Sequence, residues 1–219
     1  LFVHSRGKLR LIGLDTPELA RDGRPDQPFA VAAREALRRL VPDGSRVRLH
    51  YGPERRDRHG RLLAHLLLPD GRNAAVLLLE RGLATAVVVP PNAALADCYA
   101  AAERRARAAG RGIWSLPRYA VVAAAGLPRD ASGFHRVRGR VTELGRSGDA
   151  LWVRMEGGFA ARIDERDLQY FDGERMRALP GRTVTVRGWV HRNRRGAYLR
   201  LRHPAALAVA DITTEDNGG

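Results

Sequence analysis

Leu9-Arg10-Leu11-Ile12-Gly13-Leu14-Asp15-Thr16-Pro17-Glu18-Leu19 is the stretch from which the rest of the chain is read. Leu9 to Leu14 has the alternation of a strand that carries Arg10 on one face, and the chain must then turn through Asp15, Thr16, Pro17 and Glu18. Three ionisable groups, Arg10, Asp15 and Glu18, therefore gather at a strand exit, where rigid backbone can hold side chains open to a ligand. Thr16-Pro17-Glu18 also reads as a helix start, with Thr16 as N-cap and Pro17 at the first helical position. Capping leaves Arg10 and Asp15 unexplained.

Further along, residues 57–64, DRHGRLLA, offer a second guanidinium on a rigid element. Gly60 permits a tight turn, and Arg61 opens an apolar strand from Leu62 to Leu68. Residues 1–14 are expected as a hairpin turning near Ser5, Arg6 and Gly7, and Arg21 to Gln27 as a polar loop. Phe29, Ala33, Leu37 and Leu40 share one face of a helix, and Val47, Leu49 and Tyr51 alternate as a strand broken by Gly52 and Pro53. Asn73 caps a short helix that Gly82 ends, and Leu83 to Val89 is expected as a strand. A long helix over Ala93 to Ala109 then presents Leu95, Tyr99, Ala102 and Ala106, and Trp114 is expected to pack back on this core.

The chain has 219 residues, with 44% hydrophobic content, which suits two ordinary cores. Residues 117–133, rich in Ala, Pro and Gly, are expected as a linker between a first domain at 1–116 and a second at 134–212, with 213–219 a disordered tail. In the second domain Val137, Gly139 and Val141 alternate against Arg136, Arg138 and Arg140, a strand with one apolar and one basic face. Leu151, Val153 and Met155 alternate, Phe159 to Ile163 is extended, Leu168 to Met176 is helical, and Val184, Val186 and Val190 lead to a hairpin around Arg192 to Gly196 that Tyr198 to Arg202 closes. Phe159 is expected in the core, whereas Trp152 and Trp189 are out of phase with the aliphatic residues beside them and could stack bases while arginines track phosphates.

Thirty-eight basic residues against 24 acidic ones give a net charge of +14, a field that attracts polyanions, nucleic acid above all. Lys8 is the single lysine, and arginine is the side chain that forks onto phosphate oxygens. Codon usage in a GC-rich genome would also raise arginine, and the charge acts physically either way. No apolar run approaches the ~18 residues that span a bilayer, so membrane insertion is not expected. Leu1 is not an initiator Met, and the N-terminus reads as cut. The lone Cys98 excludes an intramolecular disulfide framework and a thiolate metal cluster, and is expected packed or partly buried in its helix.

Taken in order, Arg10 with Asp15-Thr16-Pro17-Glu18, Asp57-Arg58-His59-Gly60-Arg61 with Leu63-Ala64, Gly82-Leu83-Ala84 and Gly112-Ile113-Trp114 resemble the motifs of the staphylococcal nuclease (thermonuclease) family over about residues 1–116. The resemblance implies a small β-barrel of the oligonucleotide/oligosaccharide-binding type with helices packed on it. The second domain resembles another barrel of that class, so the expected fold is mainly β with α, in two small barrels.

The family also implies an activity: calcium-dependent hydrolysis of phosphodiesters in DNA, RNA or both. The Asp15 carboxylate and Thr16 backbone carbonyl would be metal ligands, Glu18 the general base on water, and Arg10 and Arg61 the cations on the phosphate. Oxygen-only ligation suits calcium. Arg58 and His59 would face the nucleic acid, His59 standing where the family has a tyrosine. Val88 and Pro90 replace other tyrosines, and the family's first metal-binding aspartate is expected on a strand before Leu1. The alternative is a non-catalytic module of the same fold that binds nucleic acid or protein. No obligate protein partner is implied, and the resemblance favours a secreted or periplasmic location.

Overall fold

The computed structural model describes residues 2–3, 7–194 and 196–210, which fall into two compact units, Leu1–Pro117 and Arg118–Gly219. Residues 4–6 of the expected first turn, Arg195 of the expected second hairpin and the expected tail lie outside the described residues.

In the first unit the strands are β1 (Phe2–Val3), β2 (Gly7–Leu11), β3 (Leu14–Asp15), β4 (Arg48–Arg56), β5 (Leu62–Leu67) and β6 (Thr85–Ala86), and the helices are α1 (Ala30–Leu40), α2 (Ala74–Glu80) and α3 (Ala96–Ala108). One sheet runs β1-β2-β5-β4, and β3 pairs with β6 in a separate ladder. The alternation foreseen in β2 is present: Leu9 and Leu11 are buried while Arg10 faces the other way, and Leu62, Ala64 and Leu66 of β5 join them in the core. Leu78 and Leu79 of α2 are wholly buried, each worth roughly 1.5–3 kcal/mol of apolar transfer.

Several local expectations change. Thr16 caps no helix, because the chain from Thr16 to Ala20 is irregular and helix α1 begins at Ala30. Strand β4 runs on through Gly52 and Pro53 to Arg56 with a register shift, because Asn92 bonds its backbone at both ends of Glu54: Glu54 N–H donates to Asn92 Oδ1 (3.0 Å) and Asn92 Nδ2 to Glu54 O (2.9 Å). The strand expected over Leu83 to Val89 shrinks to Thr85–Ala86. At the end of the unit Ile113 is fully buried, whereas Trp114 is half-buried with Arg107 over its ring at 6.0 Å. Cys98 is exposed on α3, whose buried face holds Tyr99, Ala102 and Ala106.

The second unit contains β7 (Val121–Ala123), β8 (Gly133–Ser147), β9 (Ala150–Met155), β10 (Ala160–Asp164), α4 (Glu165–Leu168), α5 (Gly173–Arg177), β11 (Thr183–Asn193), β12 (Gly196–Arg200) and β13 (Leu207–Val209). Strands β8-β9-β10-β12-β11 follow one another, and β11 pairs back onto β8, so five strands close into a barrel. Strands β10 and β12 are parallel and the other barrel pairings antiparallel. This ring is consistent with the oligonucleotide/oligosaccharide-binding class. Val137, Val141, Val153, Ile163, Val184, Val186 and Leu199 fill it.

The stretch expected as a linker is built into this unit, since Val121, Val122 and Ala123 pair in parallel with Arg136, Val137 and Arg138, and Ala124 is buried in the barrel core. Its small residues suit close packing as well as they suit a tether. The helix expected over Leu168 to Met176 is two short ones, because Asp172 starts a new helix by accepting from Glu174 N–H (2.8 Å) and Arg175 N–H (3.0 Å).

Candidate active site

Parallel pairing of β2 with β5 puts Leu9 beside Leu62, Arg10 beside Leu63 and Leu11 beside Ala64. Paired residues point to the same side and alternate ones share a face, so Arg61, two residues before Leu63, is set on the same side as Arg10, away from the core and a diagonal step along the ladder. Gly13 then turns the chain, with Val87 N–H donating to Gly13 O (3.0 Å) and Asp15 paired with Thr85. That turn brings Asp15 back towards the strand it left: Arg10 Nη2 donates to Asp15 Oδ1 at 2.9 Å.

Burial raises the Asp15 carboxyl above its ordinary value. The Arg10 hydrogen bond and charge pull the other way without cancelling this, the Glu18 charge adds to it, and the Arg61 charge opposes it. Arg10, Glu18 and Arg61 thus all lie close enough to act on the Asp15 carboxyl, although 51 positions separate Arg10 from Arg61.

Glu18 is exposed, and its backbone is held on both sides by Gln27. Glu18 N–H donates to Gln27 Oε1 (3.1 Å), and Gln27 N–H donates to Glu18 O (2.9 Å). Arg61 is oriented by Asp57, whose carboxylate accepts from Arg61 Nε at 2.7 Å and from the backbone N–H groups of Arg61 and His59, each at 2.9 Å. Burial alone would raise Asp57, but the hydrogen bonds from Arg61 and His59 outweigh it and hold the carboxyl below the usual range. Asp57 is the residue that motif reading quotes without giving it a task. The signal was available in an acid four positions before the arginine with a turn glycine between them.

Arg58 and His59 sit exposed on that turn, Arg58 Nε donating to His59 Nε2 at 3.1 Å. The other expected nucleic-acid residues belong to the second unit. Arg138 and Arg140 are exposed on β8, and Arg136 is half-buried with Nη1 directed to Tyr119 O (3.5 Å). Trp152 is half-buried, Trp189 is 37% exposed with its edge on Phe134 (5.5 Å between ring centres), and Phe159 is in the core.

The glycine motifs of the first unit are packing devices. Gly82 and Gly112 meet backbone to backbone: a Cβ on Gly82 would lie 2.0 Å from Arg111 O, one on Gly112 2.2 Å from Gly82 O, and Ile113 N–H donates to Gly82 O (2.8 Å). Both also have positive φ, at 66° and 55°.

Two guanidiniums, each fixed by a carboxylate yet keeping spare N–H donors, beside an exposed carboxylate and a desolvated one, suit an anionic ester attacked by water. Residues 8–116 match the family of staphylococcal nuclease homologues. The chain is similar to the thermonuclease of Staphylococcus intermedius (36% identity over 107 residues, 49% of this chain and 62% of that protein). It is likewise similar to the thermonuclease of Staphylococcus hyicus (35% over 118 residues, 52% and 69%) and to endonuclease YncB of Bacillus subtilis (34% over 121 residues, 54% and 56%). The chain thus spans less than two thirds of the first and third of these relatives. The family match over residues 8–116, together with 35% identity across 69% of the Staphylococcus hyicus protein, shows that the chain belongs to the staphylococcal nuclease family.

Proposed function

We propose that this protein is a nuclease that hydrolyses phosphodiesters in DNA or RNA with calcium as cofactor, assisted by a nucleic-acid-binding surface on its second unit. The observation that carries the reading is the convergence of Arg10, Asp15, Glu18 and Arg61 at neighbouring strand ends. Glu18, exposed and with its backbone anchored, takes the proton from the attacking water. Arg10 and Arg61 neutralise the diester and hold the charge that grows on its non-bridging oxygens. A positioned base contributes on the order of 10²- to 10⁴-fold, and a preorganised donor about 10²- to 10³-fold.

The donor chemistry fits a hard cation. The Asp15 carboxylate and the Thr16 carbonyl are oxygen donors, and burial that disfavours the Asp15 anion is what a cation would reverse. Among the described residues no three His, Cys, Asp or Glu side chains converge, so water and substrate oxygens would supply most of the six to eight ligands that calcium takes. Calcium, when bound, supplies Lewis-acid polarisation of the phosphoryl oxygen.

Among the described residues no helix is long and apolar enough to cross a membrane. The test is digestion of plasmid DNA and of single-stranded RNA with calcium and with chelator, beside Glu18→Gln. Binding without cleavage of either polymer, in calcium and at several pH values, would favour the non-catalytic module instead.

A further inference from the structure

A concave site lies on the outside of the second unit's barrel, and Thr142 of β8, two residues beyond Arg140, is part of its lining. Cross-strand register sets one row as Arg154, Ala160, Tyr198 and His191, and the next as Trp152, Arg162 and Arg200. Ala160 leaves a dent between Arg154 and Tyr198. Gly158 and Gly196 extend it with no side chains at all, a Cβ on Gly196 meeting Gly158 O at 2.7 Å. The result is a cleft of about 530 Å³ lined by Trp152, Arg154, Tyr198, Asn193 and Arg194 among others.

Its aromatic wall is pre-organised. Trp152 and Tyr198 meet edge to face with ring centres 5.4 Å apart, His191 lies 5.5 Å from Tyr198, and Arg162 covers Trp152 at 5.9 Å. Arg162 and Arg200 share Asp164 beneath them, at 2.8 and 3.2 Å, and so brace the wall. Arg154 pairs with Glu143 at 2.9 Å in the open, and an exposed pair of that kind is weak enough to be exchanged for a phosphate.

We infer that this cleft holds unstacked bases of single-stranded nucleic acid against Trp152 and Tyr198, with Arg154 and Arg194 on the flanking phosphates. The inference rests on the reading that the second unit binds nucleic acid. Flat aromatic rings beside arginines fit a base next to a phosphate, and a duplex offers no such base because its rings are stacked on one another. The chain's net charge of +14 favours the same polyanion. Trp189 has no share in this cleft, since it stands on Phe134 beside Arg187.

The experiment is fluorescence anisotropy on the whole chain in chelator, so that neither cleavage nor its failure affects the outcome. The probes are a labelled oligothymidine of about ten nucleotides, the same backbone with every base removed, and a duplex of equal length. The oligothymidine should bind roughly ten- to a hundred-fold more tightly than the abasic strand, and Trp152→Ala should erase that difference while leaving the abasic affinity unchanged. Ala160→Leu, which fills the dent without removing a contact, should act in the same direction if Trp152→Ala does not fold, and Trp189→Ala should have no effect. Equal affinity of the intact protein for the base-bearing and abasic strands overturns the proposal without needing any variant. So does a loss of duplex affinity in Trp152→Ala as large as its loss of single-strand affinity, or wild-type base discrimination in folded Trp152→Ala or Ala160→Leu.

Discussion

Gly13 lies flat against the ring of Tyr99: a Cβ on Gly13 would sit 1.9 Å from Tyr99 Cε2, and its φ of +88° is a conformation that suits glycine. This contact seats the turn that carries the chain from Arg10 to Asp15. Tyr99 in turn is held in the core by His65 Nδ1 at 2.6 Å and Asn73 Nδ2 at 3.0 Å from its hydroxyl, and burial pushes its pKa up to about 12. The candidate site is therefore fixed from beneath by a polar network inside the apolar core.

Gly13→Ala is expected to strain the backbone and displace the Tyr99 ring, costing more than about 1 kcal/mol of stability. It should also lower cleavage in samples that remain folded, because the Arg10–Asp15 geometry depends on this turn. Urea unfolding and turnover measured on one preparation decide it. Full activity with an unchanged midpoint would dissociate the turn from the site.

Buried His65 has its pKa lowered from 6.5, first by burial and then by the His50 charge. Below that value the unfolded chain takes up a proton that the folded chain refuses, so stability is fully present above the unfolded pKa and falls as pH drops towards the folded one. A neutral His65 Nδ1 can accept from the Tyr99 hydroxyl while Asn73 donates to that oxygen, a pattern that protonation breaks. His65→Gln should flatten the loss of thermal stability below about pH 6.5. An unaltered pH profile in that variant would assign the acid sensitivity elsewhere.

Arg10→Ala, Glu18→Gln and Arg61→Ala should each reduce turnover by at least about two orders of magnitude while leaving the fold intact. Near-normal cleavage by Glu18→Gln would remove the general-base role from that residue.

If Asp15 holds the proposed calcium it does so as its anion, and burial raises its pKa. As pH falls, activity at limiting calcium should therefore decline at higher pH than an ordinary carboxylate near 3.9 would give. Saturating calcium should shift the decline back towards lower pH. A decline insensitive to calcium would separate Asp15 from metal binding.

Arg138 and Arg140 are exposed along β8. If each meets one phosphate, replacing both with Ala should flatten the log-log salt dependence of single-strand binding by roughly 0.7 per contact, with little change in base discrimination. Filter binding at several salt concentrations measures it, and an unaltered slope would exclude these two residues.

Alternation in Leu9 to Leu14, the Arg stripe of β8 and the spacing of Asp57, Gly60 and Arg61 are local patterns, so the sequence alone determined that a mixed β and helical chain would hold basic strands and a candidate site at a strand exit. The cap of α2 by Asn73 was equally legible, since a cap depends on residues two apart. Where sequence reading failed, distant partners decided. Gly52 and Pro53 do not end β4 because Asn92, about forty positions on, bonds the backbone on either side of Glu54. The apparent linker is part of the second unit because β7 finds an edge of β8 to pair with.

The same holds for function. The motif placed Arg10, Asp15, Glu18 and Arg61 in order along the chain, but only the parallel β2–β5 register sets Arg10 and Arg61 on one side of the sheet, and it is chiefly burial that sets the Asp15 carboxyl apart from an ordinary one. Trp152 and Trp189 look alike in sequence, each out of phase with its strand. Tertiary structure separates them, because Ala160 and two glycines open a cleft beside one, while Phe134 lies against the other. Periodicity reports which side of a strand a residue occupies, whereas the surface it meets there is contributed by segments far away in the chain.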